Sequence, residues 1–297
     1  MAECLVSFGS NLGDSREVLA AAAERLAAMD GISQFRASRL FETPAVGGPP
    51  NQPPFLNAVA ALHTELPARS ILEGLQSIEA ALGRTRRARW GARTIDLDVV
   101  LHGPLIGGAS ELTLPHPRYT ARRFVLLPAC DVAGDYRDPR FHWSIEQLAA
   151  HISRPPASLA LVGGDRETRQ TLCQRVAQRF GIRHCHWTDA SDGSVPWIRD
   201  DFELEVPIDP HAVTTPRLLV RLFHQETRDR RAPGGWITDR WPAPHRMFPR
   251  GRSYPEYHLE ISDLDWAVNE IGAAFESMTC DCMPVTPDGS WAITQPE

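Results

Sequence analysis

The sequence predicts an α/β protein built from two domains. Its 297 residues exceed the usual size of a single domain. Short apolar runs of strand length alternate with longer amphipathic stretches at helical spacing. Residues 153–157, SRPPA, have the composition of a linker, and a new strand–glycine–helix pattern begins directly after them. We therefore predict a first domain over residues 1–152 and a second domain over residues 158–297.

The first domain is predicted to mix strands and helices. Apolar runs predict strands over residues 4–8, 38–41, 56–66 and 95–101. Helical spacing predicts helices over residues 15–29, 70–82 and 144–152, and a further ordered segment begins at residue 123. Residues 43–54 are rich in proline and glycine, which excludes a helix there and predicts a loop.

The composition excludes several classes of protein. A hydrophobic content of 42% with 23% charged residues is typical of a globular protein with a core, and the net charge of −6 gives no sign of nucleic-acid binding. We expect no membrane span, because no apolar run is long enough. Six scattered cysteines and a start without a basic leader favour the cytoplasm. All 31 basic residues are arginine, so any mechanism that needs lysine is excluded.

A pair of carboxylates marks the candidate catalytic site. Asp96 and Asp98 are two residues apart on a predicted strand, so both face the same side of the sheet. They would repel each other unless a divalent cation lay between them, and Mg²⁺ binds one or two carboxylates together with phosphate oxygens. Five arginines, a residue type suited to phosphate, precede the pair: Arg84, Arg86, Arg87, Arg89 and Arg93. This set is typical of phosphoryl transfer, although spacing alone also fits a salt-bridged strand end.

Residues 89–100, RWGARTIDLDVV, resemble the signature of the 6-hydroxymethyl-7,8-dihydropterin pyrophosphokinase family. Four further blocks are similar to the same family in the same order. They are residues 9–13, residues 42–44 with 55–57, residues 76–84, and residues 114–117 with 122–124. The resemblance covers about residues 3–152. It implies a ferredoxin-like α+β two-layer sandwich, with helices on one face of an antiparallel sheet and the ATP site on the other.

The resemblance implies transfer of diphosphate from ATP to the hydroxymethyl group of the pterin, which releases AMP in a step of folate synthesis. The implied catalytic residues are Arg84, Arg93, Asp96 and Asp98, with Asp96 and Asp98 as ligands of two Mg²⁺ ions. The implied ATP-binding residues are Gln76, Glu79, Arg84, Arg89, Trp90, Arg93, Ile95, Thr113, His116 and Arg122. The implied pterin-binding residues are Thr43, Pro44, Val46, Phe55, Asn57 and Phe124, with the two phenylalanines stacked on the pterin ring.

Two features of the first half depart from the family pattern. The family carries an arginine two residues before the threonine of its closing block, where this chain has Glu111. The segment between Arg86 and Trp90 is one residue short, which makes individual arginine assignments there less secure than the aspartate pair.

The loop over residues 43–54 is expected to act as a lid that keeps water from the phosphates.

The second half resembles nucleoside and nucleotide kinases of the P-loop class. Residues 159–172, LALVGGDRETRQTL, align with their opening strand, phosphate loop and helix, while residues 216–222 and 257–278 are similar to later core elements. The resemblance implies a three-layer α/β domain with a mainly parallel sheet. However, Thr168 replaces the second loop glycine, Arg169 the lysine and Gln170 the hydroxyl residue, so we expect a degenerate loop without kinase activity.

The sequence is also compatible with alternative functions. The first half could bind pterin and ATP without transferring anything, or the second half could be a nucleotide kinase. Zinc could bind Cys185 and its neighbouring histidines, together with Cys280 and Cys282, although the usual spacing of zinc ligands is missing. A protein partner or a second copy of the chain could bind the second half, and no nucleic-acid or membrane partner is expected.

Overall fold

A computed structural model describes residues 1–84, 90–108, 111–186, 194–202, 208–212, 214–223 and 254–292. The first half forms an antiparallel sheet, and its elements in chain order are β1 (Ala2–Ser10), α1 (Ser15–Ala27), β2 (Ile32–Ala37), β3 (Phe41–Thr43), β4 (Phe55–Thr64), α2 (Ala68–Ala81) and β5 (Asp96–His102). The central strand β1 lies between β4 and β5, and both β2 and β3 pair with β4. A small hairpin, β6 (Gly107–Gly108) with β7 (Thr113–Leu114), follows β5.

The alternation of side chains along the strands builds two cores. Cys4, Val6 and Phe8 of β1 face one side of the sheet, where they pack against the apolar stripes of α1 and α2. Leu5 faces the other side. The predicted strands and helices of the first half therefore correspond to real elements. Sequence patterns do not predict β2, because all of its residues are exposed or half-buried and its apolar pattern is weak. They do not predict β6 and β7 either, because a strand of two residues is too short to show a pattern.

The opposite face of this sheet carries a third layer. It consists of α3 (Arg123–Ala133) and α4 (Ile145–Ile152), which begins at a capping box formed by Ser144 and Gln147. The apolar stripe of α3 packs against Leu5, Val59 and Ala61. The expectation that helices cover only one face of the sheet was therefore wrong. The stripe on α3 must be buried, and this face of the sheet offers the apolar surface to bury it.

The second half contains a parallel sheet. Its elements are β8 (Ser158–Gly163), α5 (Arg166–Phe180), β9 (Arg183–His184), β10 (Trp197–Arg199), β11 (Leu218–Phe223), β12 (Glu256–Glu260) and α6 (Leu264–Thr279). The strands lie in the order β12-β11-β8-β10-β9, and every pairing among them is parallel. Residues 159–162 of β8 are all buried, as expected for a central strand covered on both faces.

The two halves share one apolar core, and the end of the described chain returns to the first sheet. Side chains of α3 and α4 belong to the same buried cluster as those of β8, β11, α5 and α6. After α6, the strand β13 (Met283–Pro284) pairs antiparallel with β3. Trp291 then packs edge-on against Phe8 and donates from Nε1 to the carbonyl of Ser38 at 2.7 Å. None of the helices in the described ranges is long and apolar enough to span a membrane.

Candidate active site

An open cleft of about 760 Å³ lies at the ends of β3, β4 and β5. Its lining combines the first half with residues of β12 and α6: Gly9, Thr43, Pro44, Val46, Phe55, Asn57, Trp90, Arg93, Asp96, Ala121, Arg122, Phe124, Tyr257, Glu270, Ala273, Ala274 and Ser277. A Cβ added to Gly9 would lie 3.3 Å from Asn57 Oδ1 and 3.8 Å from the Phe55 ring. Glycine at this position therefore keeps the cleft open between the Phe55 ring and the Asp96 side chain.

One end of the cleft is aromatic and carries a fixed hydrogen-bonding pair. Phe55 at the start of β4 and Phe124 in the first turn of α3 both line it. Asn57 Nδ2 donates to Thr43 Oγ1 at 2.8 Å, and both side chains are buried. This bond fixes the amide and leaves its oxygen near the cleft, so this end suits a flat ligand with polar edges.

The other end carries the aspartate pair on β5. The Asp96 carboxylate contacts the guanidinium groups of both Arg93 and Arg84, the latter at 2.6 Å. Asp98 is more exposed, and its Oδ2 lies 3.8 Å from both His116 Nε2 and Arg122 Nη1. Alternate positions on one strand therefore present two carboxylates to a ring of basic groups, as their spacing predicts.

Burial and neighbouring charges shift the pKa values of Asp96 and His116. Burial, reinforced by the Asp98 carboxylate, raises the pKa of Asp96 above its usual range, and the nearby arginines offset this only in part. Burial lowers the pKa of His116 well below its usual range, and Arg122 and Arg118 lower it further, so the imidazole is neutral. Its Nδ1 accepts from the Arg118 N–H at 3.2 Å. The ring proton is therefore on Nε2, which points toward Asp98.

Two buried side chains hold the loops of this end in place. Glu79 on α2 accepts from the Leu97 N–H at 2.8 Å and also contacts the guanidinium of Arg84. Asn11 exchanges two hydrogen bonds with the backbone of Arg93, at 2.9 and 3.1 Å, and donates from Nδ2 to the Pro53 carbonyl at 3.1 Å. Asn11 therefore joins the β1 turn to the loops that precede β4 and β5.

The structure brings together most of the residues that the sequence singled out. All six implied pterin residues line the cleft. Four of the implied ATP-binding or catalytic residues line it as well: Trp90, Arg93, Asp96 and Arg122. Arg84 contacts both Asp96 and Glu79, and His116 lies near Asp98. Ile95 is fully buried in the core, Gln76 is exposed on α2, and Thr113 is on β7, away from the cleft lining. Glu111 is exposed just before β7. Arg86, Arg87 and Arg89 are outside the described residues.

Sequence patterns do not predict the residues that the second half contributes to the cleft. They are Tyr257 on β12 and Glu270, Ala273, Ala274 and Ser277 on α6. Nothing in their local pattern signals a site, because small residues on an amphipathic helix are typical of helix packing. More than 100 positions separate them from Phe124 in the chain, and only the packing of the two halves places them there.

In the described part of the second half, Cys173, His184 and Asp200 form the one cluster with three groups suited to a metal ion. His184 Nε2 lies 2.7 Å from Asp200 Oδ1, and burial raises the pKa of the Cys173 thiol well above its usual range. Of the residues considered for zinc, only His184 belongs to this cluster. Cys280 and Cys282 follow the end of α6, where the Cys280 carbonyl accepts from Arg123. The zinc set considered from the sequence is therefore not assembled.

The fold and site define an α/β protein with an aromatic cleft that leads to a pair of carboxylates ringed by arginines. Residues 5–134 match the family model of 7,8-dihydro-6-hydroxymethylpterin-pyrophosphokinase (HPPK). The chain is 41% identical over 145 residues to the 2-amino-4-hydroxy-6-hydroxymethyldihydropteridine pyrophosphokinase of Pseudomonas aeruginosa, covering 49% of this chain and 89% of the relative. It is 43% identical to the enzyme of the same name from Methylorubrum extorquens, covering 46% of this chain and 85% of the relative.

This chain belongs to the HPPK family. Its relatives match about its first half, and the remainder lies outside these alignments. A solved structure of HPPK-DHPS in complex with substrates aligns with 61% of this chain and 45% of that chain, at a TM-score of 0.40 and 12% identity.

Proposed function

We propose that this protein transfers diphosphate from ATP to 6-hydroxymethyl-7,8-dihydropterin and releases AMP and the pterin diphosphate, a step of tetrahydrofolate biosynthesis. One observation carries the proposal: the aromatic cleft and the arginine-ringed carboxylate share a continuous lining. A flat pterin held between Phe55 and Phe124 would direct its hydroxymethyl group toward Asp96, where the ATP phosphates would lie. Catalysis would rest on positioning and charge neutralisation, without a covalent enzyme intermediate.

The residues of the carboxylate end fit two Mg²⁺ ions. Asp96 and Asp98 offer hard oxygen ligands on one face of β5. Burial raises the pKa of Asp96 and the Asp98 carboxylate raises it further, so a cation between the two carboxylates would be favoured. Bound Mg²⁺ would supply positive charge that neutralises the phosphates. The protein itself would orient ATP through arginines and exclude water with the segment over residues 44–54.

Individual roles follow from position in the cleft. The Thr43–Asn57 pair would read the polar edge of the pterin, with Pro44 and Val46 closing over it. The phosphates would lie against Arg84, Arg93 and Arg122. Trp90 and neutral His116 would contact the nucleotide. The other implied ATP residues, Gln76, Glu79, Arg89, Ile95 and Thr113, stay predictions, and Ile95 could contribute only its backbone because its side chain is buried.

We also propose that the two halves are a ferredoxin-like unit and a degenerate P-loop kinase-like unit. The first sheet has β1 between β4 and β5, with β2 outside β4, the antiparallel order of ferredoxin-like folds. In the second sheet the strands, read from β9 to β12 and numbered by chain position, follow the order 2-3-1-4-5. A helix begins directly after the glycines that end the first strand, which supports the P-loop assignment.

Side-chain contacts at the loop after β8 support the proposal that the second half does not transfer phosphate. Arg169 takes the position of the P-loop lysine, but its Nη1 donates to the carbonyls of Gly163 and Gly164, both at 3.0 Å. Asp165 caps α5 and accepts from the Thr168 N–H at 2.8 Å. A carboxylate thus occupies the helix N-terminus, where a phosphate would otherwise be favoured. We propose a structural or partner-binding role for this half, with a protein partner or a second copy of the chain as its ligand.

AMP formation from ATP, Mg²⁺ and the pterin tests the proposed reaction. We expect pterin-dependent AMP from the wild-type chain and a loss of more than about 100-fold in Asp98→Ala, because the transferred phosphate loses a charge-neutralising ligand. Asp135→Ala, which removes an exposed carboxylate of the same half, is the matched control and should keep wild-type activity. A folded wild-type chain that binds both substrates without forming AMP would favour the non-catalytic binding protein instead.

A further inference from the structure

Helix α6 of the second half forms part of the cleft surface. Ala273, Ala274 and Ser277 line the cleft on one side of the helix, and Glu270 lines it one turn earlier. Three of these four side chains are small, so the helix can approach the cleft closely and still leave space for a ligand. The cleft therefore has a wall that the matched half of the chain does not encode.

Contacts with the first half and with β12 hold this helix in place. Near its middle, Glu270 Oε1 accepts from Arg118 Nη1 at 2.5 Å, and Glu270 Oε2 accepts from the Tyr257 hydroxyl at 2.8 Å. At its end, Arg123 Nη1 donates to the Cys280 carbonyl at 2.9 Å. Because Glu270 is almost fully buried, its ion pair is poorly screened and fixes the helix relative to the loop before α3.

The segment that begins at Gly47 rests on the same helix. The Gly47 N–H donates to Glu276 Oε2 at 3.0 Å. A Cβ added to Gly47 would lie 3.4 Å from the Trp90 ring and 3.6 Å from Ala273 Cβ, so the Gly47 backbone lies between these two side chains. Gln52 Nε2 donates to the Trp90 carbonyl at 3.0 Å and to the Gly47 carbonyl at 3.3 Å. Helix α6, Trp90 and the Gly47 segment thus form one connected boundary of the cleft.

We propose that α6 is the outer wall of the pterin pocket and that Glu276 is a positioning residue, which holds the Gly47 segment against this wall. The inference rests on the proposed function and extends it, because it assigns part of pterin recognition to the second half. Glu276 acts through the backbone of Gly47 and does not touch the substrate. The wall accepts the pterin because Ala273 and Ala274 leave its space free.

Equilibrium binding of the pterin, in the presence of a non-hydrolysable ATP analogue, tests this wall directly. Ala273→Leu should weaken pterin binding at least about 10-fold, because the larger side chain must enter the cleft or displace the Gly47 segment. Glu276→Ala should weaken it by about 2- to 10-fold, the range of one hydrogen bond of ordinary strength, because this bond is exposed to solvent. Binding of the ATP analogue alone should stay within about twofold of wild type in both variants.

Matched controls distinguish an effect of the α6 wall on pterin binding from a general effect on the fold. Thr279→Leu places the same leucine side chain at an exposed position of α6 outside the cleft lining, and should bind pterin as the wild type does. Glu276→Gln keeps an oxygen acceptor for the Gly47 N–H and should restore most of the affinity and the KM for pterin, with kcat little changed. Because Glu276 is exposed, its variants test the proposal even if Ala273→Leu fails to fold.

Wild-type pterin affinity in folded Ala273→Leu and Glu276→Ala would overturn the wall while leaving the proposed reaction intact. A loss of ATP-analogue binding equal to the loss of pterin binding would also overturn it, because the helix would then act on the whole fold. If the wild-type chain itself binds no pterin, the proposed function fails, and this inference fails with it.

Discussion

At the scale of single residues, the carboxylate end of the cleft is organised by arginines that each contact a specific acid. Arg84 contacts Glu79 and Asp96, and Arg93 contacts Asp96 from the other side. Glu79 is also the acceptor for the Leu97 N–H of β5. Its carboxylate therefore does two things: it completes the backbone hydrogen bonding of β5, and it orients an arginine that we propose for ATP phosphate.

Substitution of Glu79 separates these two roles. Glu79→Gln keeps an oxygen for the Leu97 N–H but removes the charge partner of Arg84, so we expect a KM for ATP raised about 10-fold and a stability change below about 1 kcal/mol. Glu79→Leu leaves the buried Leu97 N–H without an acceptor and should cost about 1–3 kcal/mol of unfolding free energy. Urea unfolding and steady-state kinetics measure both effects. Equal loss of stability in the two variants would contradict this division of roles.

At the scale of elements, the short strand β13 stabilises the strand that carries Thr43. It pairs with β3, the Val285 N–H donates to the Leu40 carbonyl at 2.8 Å, and Thr286 Oγ1 accepts from the Leu40 N–H at 2.8 Å. Among the described strands, β3 would otherwise end the sheet on this side and expose unpaired backbone groups. The last described segment therefore supports the pterin end of the cleft from outside.

Loss of one hydroxyl tests the contribution of β13. Thr286→Val keeps the shape of the side chain but leaves the Leu40 N–H without its acceptor, so we expect a loss of about 1–3 kcal/mol in unfolding free energy. Pterin KM should rise as well, because Thr43 lies three residues further along the chain. Thr279→Val is the control, since it removes an exposed hydroxyl that bonds only to carbonyls of its own helix. Chemical denaturation of both variants decides the matter, and equal stability would argue against a supporting role for β13.

At the scale of the whole molecule, the halves meet through buried groups whose charge depends on pH. His151, on α4 of the first half, lies between Trp143 and Tyr254, and its Nε2 donates to the Arg217 carbonyl of the second half at 2.9 Å. Burial lowers the pKa of His151 to about 4. Burial likewise lowers the pKa of His258 on β12 to about 4. Both rings are therefore neutral in the folded protein at neutral pH.

We predict that stability falls as the pH drops from about 6.5 to 4. In this window the unfolded chain protonates both histidines and the folded chain does not, so each histidine lowers the unfolding free energy by up to about 1.4 kcal/mol per pH unit. Glu256 behaves differently. Its pKa is lowered to about 2 by His258 and Arg221, which outweigh burial, so its contribution is present above about pH 4.5 and is lost only below that. Unfolding free energies measured from pH 7.5 to 4 give the slope.

His151→Gln identifies the contribution of the interface between the halves. Glutamine keeps a donor for the Arg217 carbonyl and does not titrate, so the variant should lose the His151 contribution to the slope between pH 6.5 and 4. The slope should not disappear, because burial also lowers the pKa values of His102, His116 and His258. His142→Gln replaces an exposed histidine and is the control for the substitution itself. An identical slope in His151→Gln and wild type would show that His151 does not titrate as its surroundings predict.

The sequence by itself determined the local chemistry of this protein. Asp96 and Asp98 share a face because the side-chain period of a strand is two, and α1, α2 and β4 follow from apolar spacing that any partner surface would satisfy. Only the tertiary structure decided that α3 covers the second face of the sheet, that β13 pairs with β3, and that Ala273 and Ala274 reach the cleft. Periodicity shows which face of an element is buried, but it does not show which distant element covers that face. The choice among covering elements is made by packing between residues far apart in the chain, and in this protein that packing joins the second half to the active site.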